Sequence, residues 1–169
     1  MAHIESAQAG IRQSMKDLAG KYLTFDLGRE EYGIGILKVR EIIGLMEITA
    51  VPHTPRYIKG VINLRGNVIP VLDLRLKFNM DSREYNDRTC IIVVEAQGES
   101  GSVLVGMIVD SVSEVLNITE AEIEPPPTFG GDEVETDNFL GMAKIKGRMK
   151  ILLDVDVVIG EAGLKPVGA

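Results

Sequence analysis

Residues suited to redox or metal chemistry are scarce in this chain. There is one cysteine, Cys90, and there are two histidines, His3 and His53, among 169 residues. A single cysteine makes no internal disulfide, and its setting in TCIIVVE is that of a buried strand position. Two histidines far apart, with no second cysteine, leave no His-based metal cluster and no Ser-His-Asp arrangement to expect. Positive charge is also in deficit. Eighteen Lys and Arg against 25 Asp and Glu give a net charge of −7, which argues against a nucleic-acid footprint and favours solubility or a basic partner. No run approaches the ~18 apolar residues of a membrane span. The start, MAHIESAQAG, has neither the basic residues nor the apolar stretch of an export signal. A soluble cytoplasmic protein, not inserted in a membrane, is the expectation. Phosphate loops are missing as well: GIGILK at Gly33 lacks the third glycine of a dinucleotide motif, and no GxxxxGK[ST] occurs. The carboxylates are scattered, so no catalytic residue, metal or cofactor is expected, although paired carboxylates can assemble from distant segments without a sequence trace.

What the chain does have is short apolar, β-branched runs separated by turn signals. Tyr57 to Leu74, YIKGVINLRGNVIPVLDL, sets the pattern: two strand-like runs flank Arg65-Gly66-Asn67, and Gly66 can take the positive φ that a tight hairpin turn needs. Asn63 and Gly66 are the turn-forming residues. Pro70 has no N–H to give a ladder, which predicts an edge or a bulge for the second strand. Asp73 is placed to cap a short helix, Leu74 to Phe78. Upstream, KYLTFDL and EEYGIGIL form a first hairpin, followed by the extended run VREIIG. Downstream lie three more β-leaning runs, Thr89–Glu95, Ser102–Val109 and Val112–Leu116, then a Pro-, Gly- and acid-rich stretch over Glu124–Asp137, where mobility is expected.

A last hairpin turns at Lys146-Gly147-Arg148, with Asp154 capping Val155 to Ile159. It echoes the middle hairpin, since GVINLRGNVIPVLDL and GMAKIKGRMKILLDV both place a basic-Gly turn before an Asp and a short helix. Eight to ten short strands with few helices predict an all-β class, mainly β with short helices, and two small barrels fit better than one large one. Residues 1–18 form an N-terminal arm or short helix in this reading, with Ile4, Ile11, Met15 and Leu18 near one face; 19–160 is the folded domain and 161–169 a flexible tail.

Polar side chains inside apolar strands are the candidates for binding, because folding alone gives no reason for them. Glu41, Asn63 and Arg65 qualify. They are either solvated strand charges or the charged rim of a small protein interface with an arginine hot spot.

Five segments together resemble the CheW family of bacterial chemotaxis adaptors: EEYGIGILKVREI, TPRYIKGVINLRGNVIPVLDLRLKF, YNDRTCIIVV, VGMIVDSVSEVL and LGMAKIKGRMKILLDVD. The likeness runs from about Lys21 to Ile159. It implies two intertwined five-stranded SH3-like β-barrels and a non-enzymatic coupler between the cytoplasmic signalling tips of chemoreceptors and the regulatory domain of a CheA-type histidine kinase. Such a protein would be a monomer in isolation, recruited to membrane-associated receptor arrays. Carried over residue by residue, the resemblance implies receptor contacts at Val39, Glu41, Gly60, Arg65 and Ile91. For the kinase it points to Ile36, taken as exposed on the first hairpin by alternation. It leaves no room for an appended receiver domain. Rival readings are the same scaffold in pilus motility or surface sensing, an enzyme with a cryptic carboxylate site, and a small-ligand-binding β-barrel.

Overall fold

The computed structural model describes residues 18–98, 101–125 and 139–161. The N-terminal arm up to residue 17, the tail from residue 162 and most of the Pro/Gly/acid-rich stretch lie outside the described residues. Among the described residues eleven strands form two sheets. β1 (Gly20–Leu27) and β2 (Glu30–Gly35) start the first sheet. The chain then leaves through a 3-10 turn, Ile36–Lys38, and builds the whole second sheet from β3 (Val39–Gly44), β4 (Ile58–Leu64), β5 (Asn67–Asp73), β6 (Cys90–Gly98) and β7 (Gly101–Val109). At Asp110 it returns to complete the first with β8 (Ser111–Ile118), β9 (Ile123–Glu124), β10 (Phe139–Ile145) and β11 (Arg148–Leu153). The second module is thus inserted in the first.

The two sheets repeat one plan. Their orders are β8-β1-β2-β11-β10-β9 and β3-β6-β7-β5-β4, so β1, β2, β8, β10 and β11 correspond to β6, β7, β3, β4 and β5. In each, one pair is parallel, Leu152 beside Gly33 and Val71 beside Gly106, and the rest are antiparallel. Even the sixth strand has a counterpart: β9 pairs with Met142 and Ala143, and Thr49 forms a lone bridge to Val61. The predicted echo between the hairpins is therefore real and extends to the whole of both barrels.

Alternation of side chains sorts the apolar residues into three cores. Ile62, Ile69, Val71, Ile91, Val93 and Ile108 fill the second barrel, and Tyr22, Ile118, Ile123, Ala143 and Leu152 fill the first. Between the barrels lies the largest cluster, including Phe25, Leu27, Ile92, Val94 and Met107. β6 is buried on both faces, which is why CIIVV runs apolar without alternating.

Short helices close each repeat. Asp73 caps α1 (Leu74–Lys77), its carboxylate accepting from the Arg75 N–H at 2.9 Å and the Leu76 N–H at 3.4 Å. Asp154 accepts from the Val157 N–H at 3.3 Å at the start of α2 (Val155–Glu161). The expected edge or bulge at Pro70 is not found: β5 lies between β4 and β7, and the irregularity of the β4–β5 pair falls opposite Val71 and Leu72 while Pro70 stays in register with Val61. The parallel partner β7 pairs only from Val71 onward, so the proline sits where no N–H is called for. Among the described residues no helix is long and apolar enough to cross a membrane.

Candidate functional site

The Arg65-Gly66 turn has φ of 53° and 88°, the left-handed pair that a two-residue hairpin requires. Glycine takes this freely; arginine does so at a cost in strain. The Gly66 N–H donates to the Asn63 carboxamide at 2.8 Å, so Asn63 stabilises the turn from within the strand. Local structure would be served by a smaller, more pliant residue at 65, and what the arginine adds is reach.

Its guanidinium grips the Glu41 carboxylate with both terminal nitrogens, Nη1 donating to Oε2 at 2.9 Å and Nη2 to Oε1. Glu41 stands on β3 and Arg65 on the β4–β5 turn, and β3 and β4 end the second sheet on opposite sides. The pair therefore bridges the seam where that barrel closes. Hydrogen bonding to Arg65, followed by its charge, holds the Glu41 carboxyl below the usual carboxylate range, and the same contact raises the arginine. Arg65 nevertheless keeps 69% of its side chain in solvent. The same module also exposes Ile42, Leu45, Val51 and Val68. A planar bidentate charge pair on a module with exposed apolar side chains is an arrangement suited to contact with another protein.

The five residues expected to contact a receptor fall into two groups. Val39, half-buried, starts the same strand but packs against the inter-barrel core across a register shift from Glu41, so Glu41 and Arg65 form the accessible part. Ile91 is 0% exposed within the barrel core, because its face of β6 points inward, so it supports the face from below and offers no surface. Gly60 is buried too. A Cβ there would lie 2.0 Å from the Thr49 carbonyl oxygen, at a φ of +142°, and the backbone that approaches it closely is this chain's own.

Ile36 also needs correcting. It belongs to the 3-10 turn, half-buried against the inter-barrel core, and its neighbour Leu37 is the one 94% exposed. Period-two alternation misplaced it because a 3-10 turn interrupts the strand there. An open cleft of about 400 Å³ adjoins this turn, lined by apolar residues that include Leu18, Ile36, Leu37, Leu140, Leu153 and Val155. Asp156 ties its rim together, accepting from Lys38 Nζ at 2.8 Å and from the Gln97 N–H at 2.9 Å.

The densest charge cluster lies elsewhere. Asp110 accepts from Arg75 Nε and Nη2 at 2.7 Å each, from the Gly28 N–H at 2.8 Å and from Arg83 Nη1 at 3.2 Å. Beside it, Tyr85 donates to Asp73 at 2.7 Å, and burial followed by that bond pushes the phenol up. The space at this cluster amounts to about 10 Å³, room for roughly a water molecule. Its carboxylates are saturated with donors, so it braces the fold and does not form a substrate site. Among the described residues no group of three or more His, Cys, Asp or Glu could hold a metal.

Comparison with known proteins gives this geometry a family. The model of the CheW-like domain matches residues 21–163. The chain belongs to the CheW-like family. It is 42% identical over 139 residues to the chemotaxis protein CheW of Klebsiella aerogenes, covering 82% of this chain and 81% of that one. With CheW of Helicobacter pylori it shares 34% identity over 158 residues, 92% and 90% of the two chains. The crystal structure of the scaffolding protein TtCheW from Thermoanaerobacter tengcongensis superposes with a TM-score of 0.73 at 38% identity, covering 83% of this chain and 92% of that one. The fold class expected from the sequence, paired SH3-like barrels of CheW type, is the fold found.

Proposed function

We propose that this CheW-like chain is a non-enzymatic chemotaxis adaptor that couples the cytoplasmic signalling tips of chemoreceptors to the regulatory domain of a CheA-type histidine kinase, within membrane-associated arrays. The observation that carries the reading is the Glu41–Arg65 pair: a bidentate charge pair held at a barrel seam, its arginine largely in solvent, with exposed apolar residues on the same module. A receptor helix laid against this face would contact Val39 and exchange hydrogen bonds with the pair, which fixes its register. Gly60 and Ile91 act from behind, holding β4 and β6 in place. The kinase surface is the Ile36–Leu37 turn with its cleft, where an unsupported leucine side chain and an apolar lining suit an inserted partner side chain. The Glu41–Arg65 pair stands on the second module and most of the cleft on the first, which lets one chain hold both partners at once.

An adaptor without chemistry changes kinase output only by binding the active and inactive arrangements unequally. The test is calorimetric binding of the purified chain to a receptor signalling fragment and, separately, to the kinase regulatory domain. Arg65→Ala and Glu41→Ala are expected to weaken receptor binding roughly tenfold or more while leaving kinase binding unchanged, and Leu37→Asp to do the reverse. Folded variants that bind both partners like the wild type would refute the assignment of these surfaces.

A further inference from the structure

The repeat allows the two hairpins to be compared position by position. Arg65-Gly66 in the second barrel corresponds to Lys146-Gly147 in the first, with φ of 52° and 80° against 53° and 88°. The outward pair Asn63 and Val68 corresponds to Lys144 and Met149, directly opposed in the same register. β4 and β10 show the same succession of buried and open positions along all seven residues. Glu41, beside the register shift of β3, has its counterpart in Glu114 beside the shift of β8.

The charges do not follow the backbone. In the second barrel the tip cation is neutralised within the chain by Glu41. In the first, Glu114 is tied by its backbone to the Thr24 hydroxyl, accepting at 2.8 Å and donating at 3.2 Å, and among the described residues its carboxylate makes no ion pair. Among the described residues Lys144, Lys146 and Arg148 have neither an ion pair nor a hydrogen-bonded side-chain partner. Among the described residues, three cations without an ion-pair partner thus stand within five residues on a protein of net charge −7: Lys144 on the outward face beside Met149, which is 36% exposed, Lys146 at the turn, and Arg148 on the opposite face with Ile145.

We infer that the tip of the β10–β11 hairpin is a docking surface for an acidic, amphipathic protein segment, which lays an apolar side chain over Met149 and carboxylates against Lys144 and Lys146, with Arg148 adding positive charge from the other face of the tip. The backbone under these residues is fixed by antiparallel pairing on both strands, so the charges are presented in a set pattern and little ordering is needed on binding. Local positive potential in a negative surround steers a short acidic segment to one place. A membrane or nucleic acid is a poorer fit: a surface of phosphates rewards a broad basic face, and the net negative charge of the whole protein opposes it. This surface is separate from the Glu41–Arg65 face and does not depend on its role.

The test titrates the isotopically labelled full chain with a synthetic helical peptide of Glu and Leu at amphipathic spacing, read by NMR shifts, at low and at physiological salt. Shifts centred on residues 144–149 are expected, with binding that weakens as salt rises. Affinity should drop about tenfold in the K144E/K146E/R148E variant and by less in K144Q/K146Q/R148Q, which covers the case where the first misfolds, while R65A binds like the wild type. Shifts elsewhere, equal affinity in the Gln variant, or tighter binding to phosphatidylserine vesicles than to the peptide would overturn the inference.

Discussion

Gly60 and Gly141 occupy the same place in the two barrels, each at an irregularity of register and each facing a carbonyl. A Cβ on Gly60 would meet the Thr49 oxygen at 2.0 Å, and one on Gly141 the Glu124 oxygen at 2.6 Å. Neither carbonyl can retreat cheaply, because Thr49 O accepts the Val61 N–H at 2.9 Å and Glu124 belongs to β9. Gly60→Ala should therefore cost at least about 2 kcal/mol, seen as a lower urea midpoint, from strained φ and displaced backbone together. Gly44→Ala, with nothing within 4 Å of the new carbon, serves as the control and should change stability little. Reduced receptor binding by a Gly60 variant would then follow from a shifted β4, and restoring the fold at low temperature should restore it. At this scale the sequence was informative about which residues are unusual and poor about what they touch. Glu41 and Arg65 stood out as charges in apolar runs, whereas Ile91 looked available because nothing in TCIIVV tells an outward face from an inward one when both are buried.

Strands and hairpins were the most legible elements, since turn chemistry is local. A basic-Gly pair followed by Asp predicted both late hairpins and both caps. Pro70 misled because its missing donor matters only if a partner asks for it, and the extent of β7 pairing is a long-range fact. The repeat also predicts what an element tolerates. Lys150, 6% exposed on β11, pairs with Glu31 on β2, and the matching positions of the second barrel hold Ile69 and Leu104. One fold thus accommodates an ion pair or two aliphatic side chains at the same site. Lys150→Ala should cost about 3 kcal/mol in chemical denaturation, because it strands a largely buried carboxylate. The double variant Lys150→Ile with Glu31→Leu should stay within about 1 kcal/mol of the wild type, since it removes both charges together and leaves no buried charge without a partner. A double variant no more stable than Lys150→Ala would mean that the two barrels differ in packing at this site.

Insertion of one barrel into the other was not legible, because no local signal states that β2 pairs with β11 across more than a hundred residues. What holds the two modules in register is equally non-local. Asp110, at the return crossing, accepts from Gly28 of the first module and from Arg75 and Arg83 of the second. Arg75 and Asp110 expose only 13% and 12% of their side chains, so this contact is shielded where surface pairs are not. Burial alone would raise the Asp110 carboxyl, but the Arg75 hydrogen bonds, the Gly28 N–H and the charges of Arg75 and Arg83 outweigh it and hold the group below its usual range. A carboxyl depressed in the folded state binds its proton first when unfolded. Its contribution to stability is therefore complete above about pH 5 and is lost as pH falls through the unfolded value near 3.9 towards the folded one. Asp110→Asn leaves Arg75 without a charge partner and should cost about 2 to 3 kcal/mol at neutral pH. Urea melts of both proteins across acid pH test this directly: the gap between them should close as pH drops below 4, and a gap that stays constant would mean that the clasp acts through shape and hydrogen bonding alone. If it acts through charge, the clasp joins the module bearing the Glu41–Arg65 face to the one bearing most of the Leu37 cleft, and its loss should loosen the relation between the two surfaces while leaving each of them intact.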